Sequence, residues 1–155
     1  HLSTSHGPTY SQKYPAEFES FKPVCTTVEM SEADLQELVN AYDNTILYTD
    51  YLLHTLIDKL AAIDDRRTAI LFISDHGESL GEGGLFMHGM PMAVAPDEQK
   101  DIPFIVWESA EDIATRKLDT TGHYNIFHSV LDFMGISSEI YNAEMSVFCK
   151  NENDQ

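Results

Sequence analysis

The spacing of apolar residues along the chain predicts a long helix, two short strands and a second helix. Across residues 35–60, apolar positions recur three and four residues apart, which is typical of one amphipathic helix or of two consecutive ones. Two largely apolar runs, 68–73 and 102–107, have the length of strands covered on both faces in a parallel sheet. A last helix is predicted over residues 126–134, ended by Gly135.

Polar segments separate these elements. Residues 1–23 are dominated by His, Ser, Thr, Gly and Pro, which is typical of a loop. Ser31, followed three residues later by Asp34, resembles a capping box and predicts the start of the first helix there. The alternation of helices with buried strands indicates an α/β layered fold with a mostly parallel sheet. We assign residues 1–149 to this fold and residues 150–155 to a polar tail.

The charge balance narrows the classes of partner. The 155 residues include 26 acidic and 9 basic side chains, for a formal net charge of −17. A field of that sign repels a phosphate backbone, so we expect no nucleic-acid partner, and a solubilising surface explains most of the charge. A metal cation is a better partner for an acidic chain with seven histidines. No apolar run of the sequence approaches the roughly 20 residues that span a bilayer.

The sequence lacks the motifs that mark several common enzyme classes. It contains no Gly-x-Ser-x-Gly elbow, no P-loop and no dinucleotide-binding glycine pattern. Cys25 and Cys149 lie far apart and match no zinc-binding or CxxC spacing. The two cysteines could pair with each other, pair with cysteines of another segment, or remain thiols.

Asp75 and His76 are the first candidate ligands for a metal ion. They follow closely on the apolar run 68–73, and in α/β sheets ligands bind at the carboxyl ends of strands. A carboxylate oxygen and an imidazole nitrogen suit zinc, and Gly77 would let the backbone fold closely around the ion. The alternative is an aspartate that caps a turn beside a hydrogen-bonded histidine.

Three of the seven histidines, His6, His76 and His88, are each followed by glycine. A glycine removes bulk where a group must approach closely, so this repetition indicates a common site. Considered singly, each histidine is more often an ordinary surface residue. The histidines for which an ordinary structural role is expected or left open are His54, His123 and His128.

Several linked segments resemble one protein family. They are His1-Leu-Ser-Thr-Ser-His6-Gly-Pro-Thr-Tyr10, Tyr42-Asp-Asn-Thr-Ile46, Ser74-Asp-His-Gly-Glu-Ser-Leu-Gly-Glu82, His88-Gly-Met-Pro91 and Asn125-Ile-Phe-His-Ser-Val-Leu131. In this order and spacing, over residues 1–136, they are similar to the lipid A phosphoethanolamine transferases. That family includes the mobile colistin-resistance enzymes and belongs to the sulfatase and alkaline-phosphatase superfamily.

The resemblance implies a zinc-dependent enzyme of the bacterial inner membrane whose catalytic domain faces the periplasm. Phosphoethanolamine would pass from phosphatidylethanolamine to a lipid A or other envelope acceptor, a modification associated with polymyxin resistance. Asp75 and His76 match two zinc ligands of the family, and His6 and His88 match histidines that bind the phosphoethanolamine group or a second zinc. His1 matches another histidine of the substrate pocket. The family's threonine nucleophile, which becomes phosphorylated, and its glutamate ligand are expected upstream. No catalytic residue is therefore assigned in this chain.

The resemblance also implies a partial domain, the C-terminal half of the catalytic domain, joined to an upstream membrane anchor. We expect this chain to fold only together with the missing half-domain or with a second chain. Alternatives are another sulfatase-superfamily hydrolase, a phosphoglycerol transferase, or a structural half-domain that is inactive on its own. Two positions depart from the family: Thr4 replaces a glycine, and Ala33 stands where relatives have a cysteine, so a local disulfide with Cys25 is not expected.

Overall fold

The computed structural model describes residues 2–109 and 113–150. They divide into two compact units, one drawn from His1–Leu56 and His76–Ile102 and the other from Ile57–Asp75 and Pro103–Gln155. The helices are α1 (Leu35–Ala61), α2 (Asp97–Lys100) and α3 (His123–Phe133). The strands are β1 (Ala69–Ile73), β2 (Ser79–Leu80), β3 (Phe86–Met87), β4 (Phe104–Glu108), β5 (Ile113–Thr115) and β6 (Phe148–Lys150). Among the described residues, no helix combines the length and the hydropathy that a transmembrane span requires.

Helix α1 confirms the long helix predicted from the apolar spacing and is continuous over its 27 residues. Asp34 caps it, because its Oδ1 accepts hydrogen bonds from the backbone N–H groups of Gln36 at 2.9 Å and Glu37 at 3.2 Å. The predicted capping box therefore needs correction. Ser31 lies inside a 3₁₀ turn, Met30–Glu32, that ends before the helix begins, and the carboxylate nearest to the unpaired amides takes the capping role.

One face of α1 is polar and buried, and it holds the N-terminal loop. Asn44 has no exposed surface, and its Oδ1 accepts hydrogen bonds from the N–H groups of Ser20 and Phe21, both at 2.9 Å. Its Nδ2 donates to the carbonyl oxygen of Phe21 at 2.9 Å and to the hydroxyl of Tyr14 at 3.3 Å. The loop predicted at residues 1–23 is thus fixed to α1 by side-chain hydrogen bonds.

The apolar core of the first unit is small. It consists of the buried residues Tyr10, Cys25, Met30, Leu38 and Ala41, with partly buried side chains packed around them. Within the described part of the chain, neither Cys25 nor Cys149 forms a disulfide.

The second unit pairs β1 with β4 in an antiparallel register that runs from Ala69 opposite Glu108 to Ile73 opposite Phe104. Strands β5 and β6 form another antiparallel pair in this unit, and β2 and β3 form a third in the first unit. The α/β class is confirmed, but these pairings are not the parallel ones expected from the apolar runs. An apolar run reports which positions are covered and not the direction of the neighbouring strand. The coverage is also lower than expected, because every residue of β1 is only half-buried.

Helix α3 packs against β6 and confirms the last predicted helix. It begins at His123, three residues before the predicted start. There the side chain of Asn125 accepts a hydrogen bond from the N–H of Gly122 at 2.8 Å. Its last residue is Phe133, one before the predicted end, and Gly135 follows the cap with a φ of 68°, which favours glycine. Lys150 ends β6, and residues 151–155 of the predicted tail lie outside the described residues.

Candidate metal and substrate site

Three histidines of the first unit gather at one point. His6, His76 and His88 each offer a ring nitrogen, and these nitrogens all lie within 4.8 Å of one another. The rings of His76 and His88 are stacked with their centroids 3.8 Å apart. The ring of His6 meets them edge-on, with its centroid 5.9 Å from that of His76 and 4.9 Å from that of His88. The three His-Gly pairs therefore mark one site, which we call the histidine cluster.

One histidine of the cluster comes from the first stretch of this unit and two come from the second. His6 lies on the N-terminal loop, which is joined to α1 by a hydrogen bond from the hydroxyl of Thr45 to that of Ser5 at 2.9 Å. His76 opens the second stretch of this unit, and His88 directly follows β3. The cluster therefore depends on the packing of the loop onto α1 as well as on the β2–β3 hairpin.

Hydrogen bonds determine which ring nitrogen of His6 and His76 carries the proton. Nδ1 of His6 lies 2.8 Å from the carbonyl oxygen of Gly7, and Nδ1 of His76 lies 3.0 Å from that of Gly77. A carbonyl oxygen can only accept, so each Nδ1 donates, and the lone pair of the neutral ring lies on Nε2. Metal-binding histidines use this arrangement, in which one nitrogen donates to a carbonyl or carboxylate and the other binds the ion.

Glu78 holds the third histidine. Its Oε1 lies 2.8 Å from Nδ1 of His88, and its Oε2 accepts a hydrogen bond from the hydroxyl of Tyr10 at 2.6 Å. Only 5% of the Glu78 side chain is exposed, so both contacts are largely shielded from solvent. Burial, followed by the neighbouring Glu78 carboxylate, raises the pKa of Tyr10 well above its ordinary value. The Tyr10 hydroxyl therefore remains a donor at neutral pH.

Two of the three glycines that follow these histidines allow a close approach of protein atoms. A Cβ on Gly77 would lie 1.9 Å from the carbonyl oxygen of Glu98, and one on Gly7 would lie 2.8 Å from the hydroxyl of Tyr10. Gly89 has open space around it but a φ of 100°, a conformation that favours glycine. The close approach expected from the sequence is thus found at two of the three positions.

Gln99 closes the loop after His88, which runs from the end of β3 to the start of α2. Its backbone oxygen accepts a hydrogen bond from the N–H of Gly77 at 3.1 Å, and its Oε1 accepts one from the N–H of Met90 at 3.3 Å. Its Nε2 donates to the hydroxyl of Ser79 at 2.9 Å. Because Gln99 and Ser79 are both buried, these bonds fix the two ends of the loop relative to each other.

The structure brings together three of the five residues predicted for the site. His6 and His88 converge with His76, as expected. Asp75 is exposed and is not among the ligand atoms grouped in the described residues, so its role as a zinc ligand stays a prediction. His1 lies outside the described residues.

Three residues that shape the site were not assigned a role from the sequence: Tyr10, Glu78 and Gln99. Glu78 could have been found, since it lies two positions after His76 in the same motif. Tyr10 contacts a partner 68 residues away, and the side chain of Gln99 contacts one 20 residues away. No local pattern indicates contacts of that range.

The donor set of the histidine cluster fits zinc. Imidazole nitrogens are common zinc ligands, and zinc takes mixed nitrogen and oxygen ligands at tetrahedral geometry. Each Nδ1 of the cluster is held by a carbonyl or a carboxylate, which is the kind of outer contact that orients metal-binding histidines.

Comparison with known proteins identifies the same family as the sequence motifs do. The sulfatase family matches residues 1–136. Phosphoethanolamine transferase EptA of Escherichia coli K12 is 41% identical over 156 residues, which cover 92% of this chain and 28% of that protein. The chain therefore spans little more than a quarter of this curated relative.

Two solved structures share the fold. The C-terminal periplasmic domain of phosphoethanolamine transferase EptC from Campylobacter jejuni has a TM-score of 0.84 and 38% identity, over 95% of this chain and 49% of that one. The integral membrane protein lipooligosaccharide phosphoethanolamine transferase A (EptA) from Neisseria meningitidis has a TM-score of 0.85 and 36% identity, over 96% of this chain and 30% of that one. The chain belongs to the sulfatase family and, within it, is similar to the phosphoethanolamine transferases.

Proposed function

We propose that the complete protein containing this chain transfers phosphoethanolamine from phosphatidylethanolamine to a lipid A or other envelope acceptor, with zinc as its metal. The observation that carries the proposal is the histidine cluster, which lies on motifs similar to those of phosphoethanolamine transferases. Because the chain spans 28% of that relative, the activity is proposed for the complete protein.

The proposal includes a location. The relatives include an integral membrane protein and a periplasmic domain, which support an inner-membrane protein whose catalytic domain faces the periplasm. Phosphatidylethanolamine and the acceptor would both reach the site from the membrane. Addition of an ethanolamine ammonium to a lipid A phosphate offsets negative charge, so weaker binding of cationic polymyxins is the expected result.

The roles of the residues follow from their chemistry. Asp75 and His76 would hold zinc, which when bound supplies a Lewis acid that polarises a phosphoryl oxygen and favours an ionised nucleophile. His1 would bind the phosphoethanolamine group, and His6 and His88 would bind that group or a second zinc ion. A neutral imidazole that donates through Nδ1 presents Nε2 as an acceptor, which suits the ethanolamine ammonium, and a protonated one can donate to a phosphoryl oxygen.

The proposed transfer has two steps, with a threonine outside residues 1–155 as the nucleophile. In the first step, the threonine hydroxyl loses its proton as Oγ forms a bond to phosphorus, and the bond from phosphorus to the diacylglycerol oxygen breaks, so that diacylglycerol leaves after its oxygen takes up a proton. In the second step, an acceptor phosphate oxygen attacks the phosphothreonine, and the bond from phosphorus to the threonine Oγ breaks. The pocket histidines orient the headgroup in both steps.

A transfer assay on the complete protein tests the proposal. It uses phosphatidylethanolamine labelled in its headgroup and lipid A as the acceptor. We expect transfer that a zinc chelator abolishes and that added zinc restores. His88→Ala should lower the transfer rate by about 10-fold or more. It also removes a partner of the buried Glu78 carboxylate, so the melting temperature is measured beside the rate to show that the variant is folded under assay conditions.

His54→Ala is the matched control, since His54 is an exposed histidine of α1, and it should leave the transfer rate unchanged. Equal rates for wild-type protein and His88→Ala would remove His88 from the substrate site. Turnover of phosphatidylglycerol or of a sulfate ester in place of phosphatidylethanolamine would favour another activity of the superfamily.

A further inference from the structure

Glu78 is a buried carboxylate whose two oxygens contact side chains from two other segments. Oε1 lies 2.8 Å from Nδ1 of His88, and Oε2 accepts a hydrogen bond from the hydroxyl of Tyr10 at 2.6 Å. Removing a carboxylate from water is unfavourable unless hydrogen bonds replace those of the solvent. The two contacts supply that replacement and at the same time determine the direction of each carboxylate oxygen.

The three histidines of the cluster differ in what orients them. His6 and His76 each bind the carbonyl oxygen of the next residue, so the backbone itself fixes the ring. His88 is also followed by a glycine, but its Nδ1 contacts Glu78, ten residues earlier in the chain. The orientation of His88 therefore depends on a side chain, and a substitution can remove it.

We propose that Glu78 is a positioning residue that keeps His88 in the Nδ1–H tautomer, with Nε2 as its ligand-binding nitrogen, and that Tyr10 holds the Glu78 carboxylate in place. An ionised carboxylate only accepts hydrogen bonds, so the opposite tautomer would set a lone pair of Nδ1 against Oε1. A hydrogen bond to an ionised acceptor is also roughly twice as strong as one between neutral groups.

The orientation of His88 affects the rest of the cluster. Its ring stacks on that of His76 at 3.8 Å and lies 4.9 Å from that of His6, so a rotated His88 would displace both neighbours. Glu78 thus acts through His88 on the whole cluster. The consequence for phosphoethanolamine transfer rests on the proposed function, whereas the tautomer assignment does not.

Nitrogen-15 solid-state NMR of the complete protein, labelled at histidine, tests the tautomer directly. We expect an Nδ1–H signal for His88 in the wild-type protein, assigned by its loss in His88→Asn. Glu78→Gln keeps the length and one acceptor oxygen and should retain the Nδ1–H signal, whereas Glu78→Leu should convert it to Nε2–H or a mixture. His128 is an internal reference for the opposite tautomer, because its Nδ1 accepts a hydrogen bond from the N–H of Asn142 at 3.2 Å.

Transfer kinetics supply the second readout. Glu78→Leu should lower kcat for transfer by roughly 10- to 100-fold, and Glu78→Gln should recover most of that loss. Tyr10→Phe leaves the carboxylate and should give a smaller loss. If Glu78→Leu does not fold, Glu78→Ala replaces it, because alanine also removes both carboxylate oxygens.

Two results would overturn the proposal. One is an unchanged Nδ1–H signal of His88 in a folded variant that lacks both carboxylate oxygens, Glu78→Leu or Glu78→Ala. The other is an equal loss of kcat in Glu78→Gln and Glu78→Leu at wild-type melting temperature. If the tautomer shifts as expected but the wild-type protein transfers no phosphoethanolamine, the proposed function fails and the positioning role of Glu78 stands.

Discussion

The amide side chain of Asn44 makes four hydrogen bonds between the N-terminal loop and helix α1. We expect Asn44→Ala to lower the free energy of unfolding by about 1–3 kcal/mol, because the part-buried backbone groups of Ser20 and Phe21 would lose their hydrogen-bond partner. Urea denaturation followed by circular dichroism measures the change. Asp50→Ala, at an exposed position of the same helix, is the control and should change it by less than about 0.5 kcal/mol. Equal effects of the two substitutions would contradict the role of Asn44.

Gly77 is the position where the segment of His76 contacts the backbone of Glu98. A methyl group on Gly77 would clash with a carbonyl oxygen, and no side-chain rotation relieves such a clash. Gly77→Ala should therefore separate the two segments and displace His76. We expect transfer to fall by about 10-fold or more, since small displacements of binding groups have effects of that size.

The control for Gly77→Ala is Gly84→Ala, because nothing lies within 4 Å of a Cβ at Gly84. Its φ of 79° makes this substitution strained, so the melting temperature should fall while transfer is retained. Retained transfer in Gly77→Ala would show that the contact with Glu98 does not position His76.

At the scale of secondary-structure elements, helix α1 depends on one cap. Asp34→Ala should lower the free energy of unfolding by about 1 kcal/mol, because two amides of the first turn lose their acceptor. Asp34→Asn should recover most of this, since asparagine also offers Oδ1. Thermal denaturation of Ser31→Ala distinguishes the two assignments of the cap. A larger drop in melting temperature for Ser31→Ala than for Asp34→Ala would support the capping box.

The elements were predictable where neighbours in sequence decide the structure. The apolar spacing gave the length of α1, and Gly135 gave the end of α3. The apolar runs located β1 and β4 but not their antiparallel register, because strand direction depends on the path of the chain between them. The cap was misplaced by three residues, since both Ser and Asp are good caps and only the structure shows which one meets the amides.

The candidate site was predictable only in part, for the same reason. The repeated His-Gly pair identified His6, His76 and His88, and the structure brings them together. The contact between Tyr10 and Glu78 spans 68 residues, and nothing local indicates it. Sequence patterns thus identified the histidines of the cluster, and the fold identifies the groups that orient them.

At the scale of the whole molecule, buried tyrosines limit stability at alkaline pH. Loss of solvent contact raises the pKa of the buried Tyr10 and Tyr14 and of the half-buried Tyr42 and Tyr141 above the ordinary value of 10.0. Above that pH the unfolded chain releases protons that the native state retains, so stability is fully present below about pH 10 and falls as pH rises toward the folded-state pKa values.

Thermal unfolding of the complete protein between about pH 8 and pH 11 measures this decline. We expect the melting temperature to fall above about pH 10 and the fall to be shallower in Tyr10→Phe, which has no proton to retain at that position. Tyr51→Phe, which removes an exposed hydroxyl, is the control. A decline of the same steepness in Tyr10→Phe and in the wild-type protein would refute the contribution of Tyr10.

The bonds of Gln99 fix the base of the loop after His88 and leave its tip open. Met92, at that tip, is 74% exposed, and the turn around it is closed by hydrogen bonds from the N–H groups of Val94 and Ala95 to the carbonyl oxygen of Pro91, both at 2.9 Å. A fluorophore attached at Met92→Cys would therefore lie four residues from His88, on a turn whose backbone is held by hydrogen bonds. If the proposed function is correct, stopped-flow fluorescence would follow the arrival and departure of lipid headgroups in real time, with His6 and His88 left unmodified.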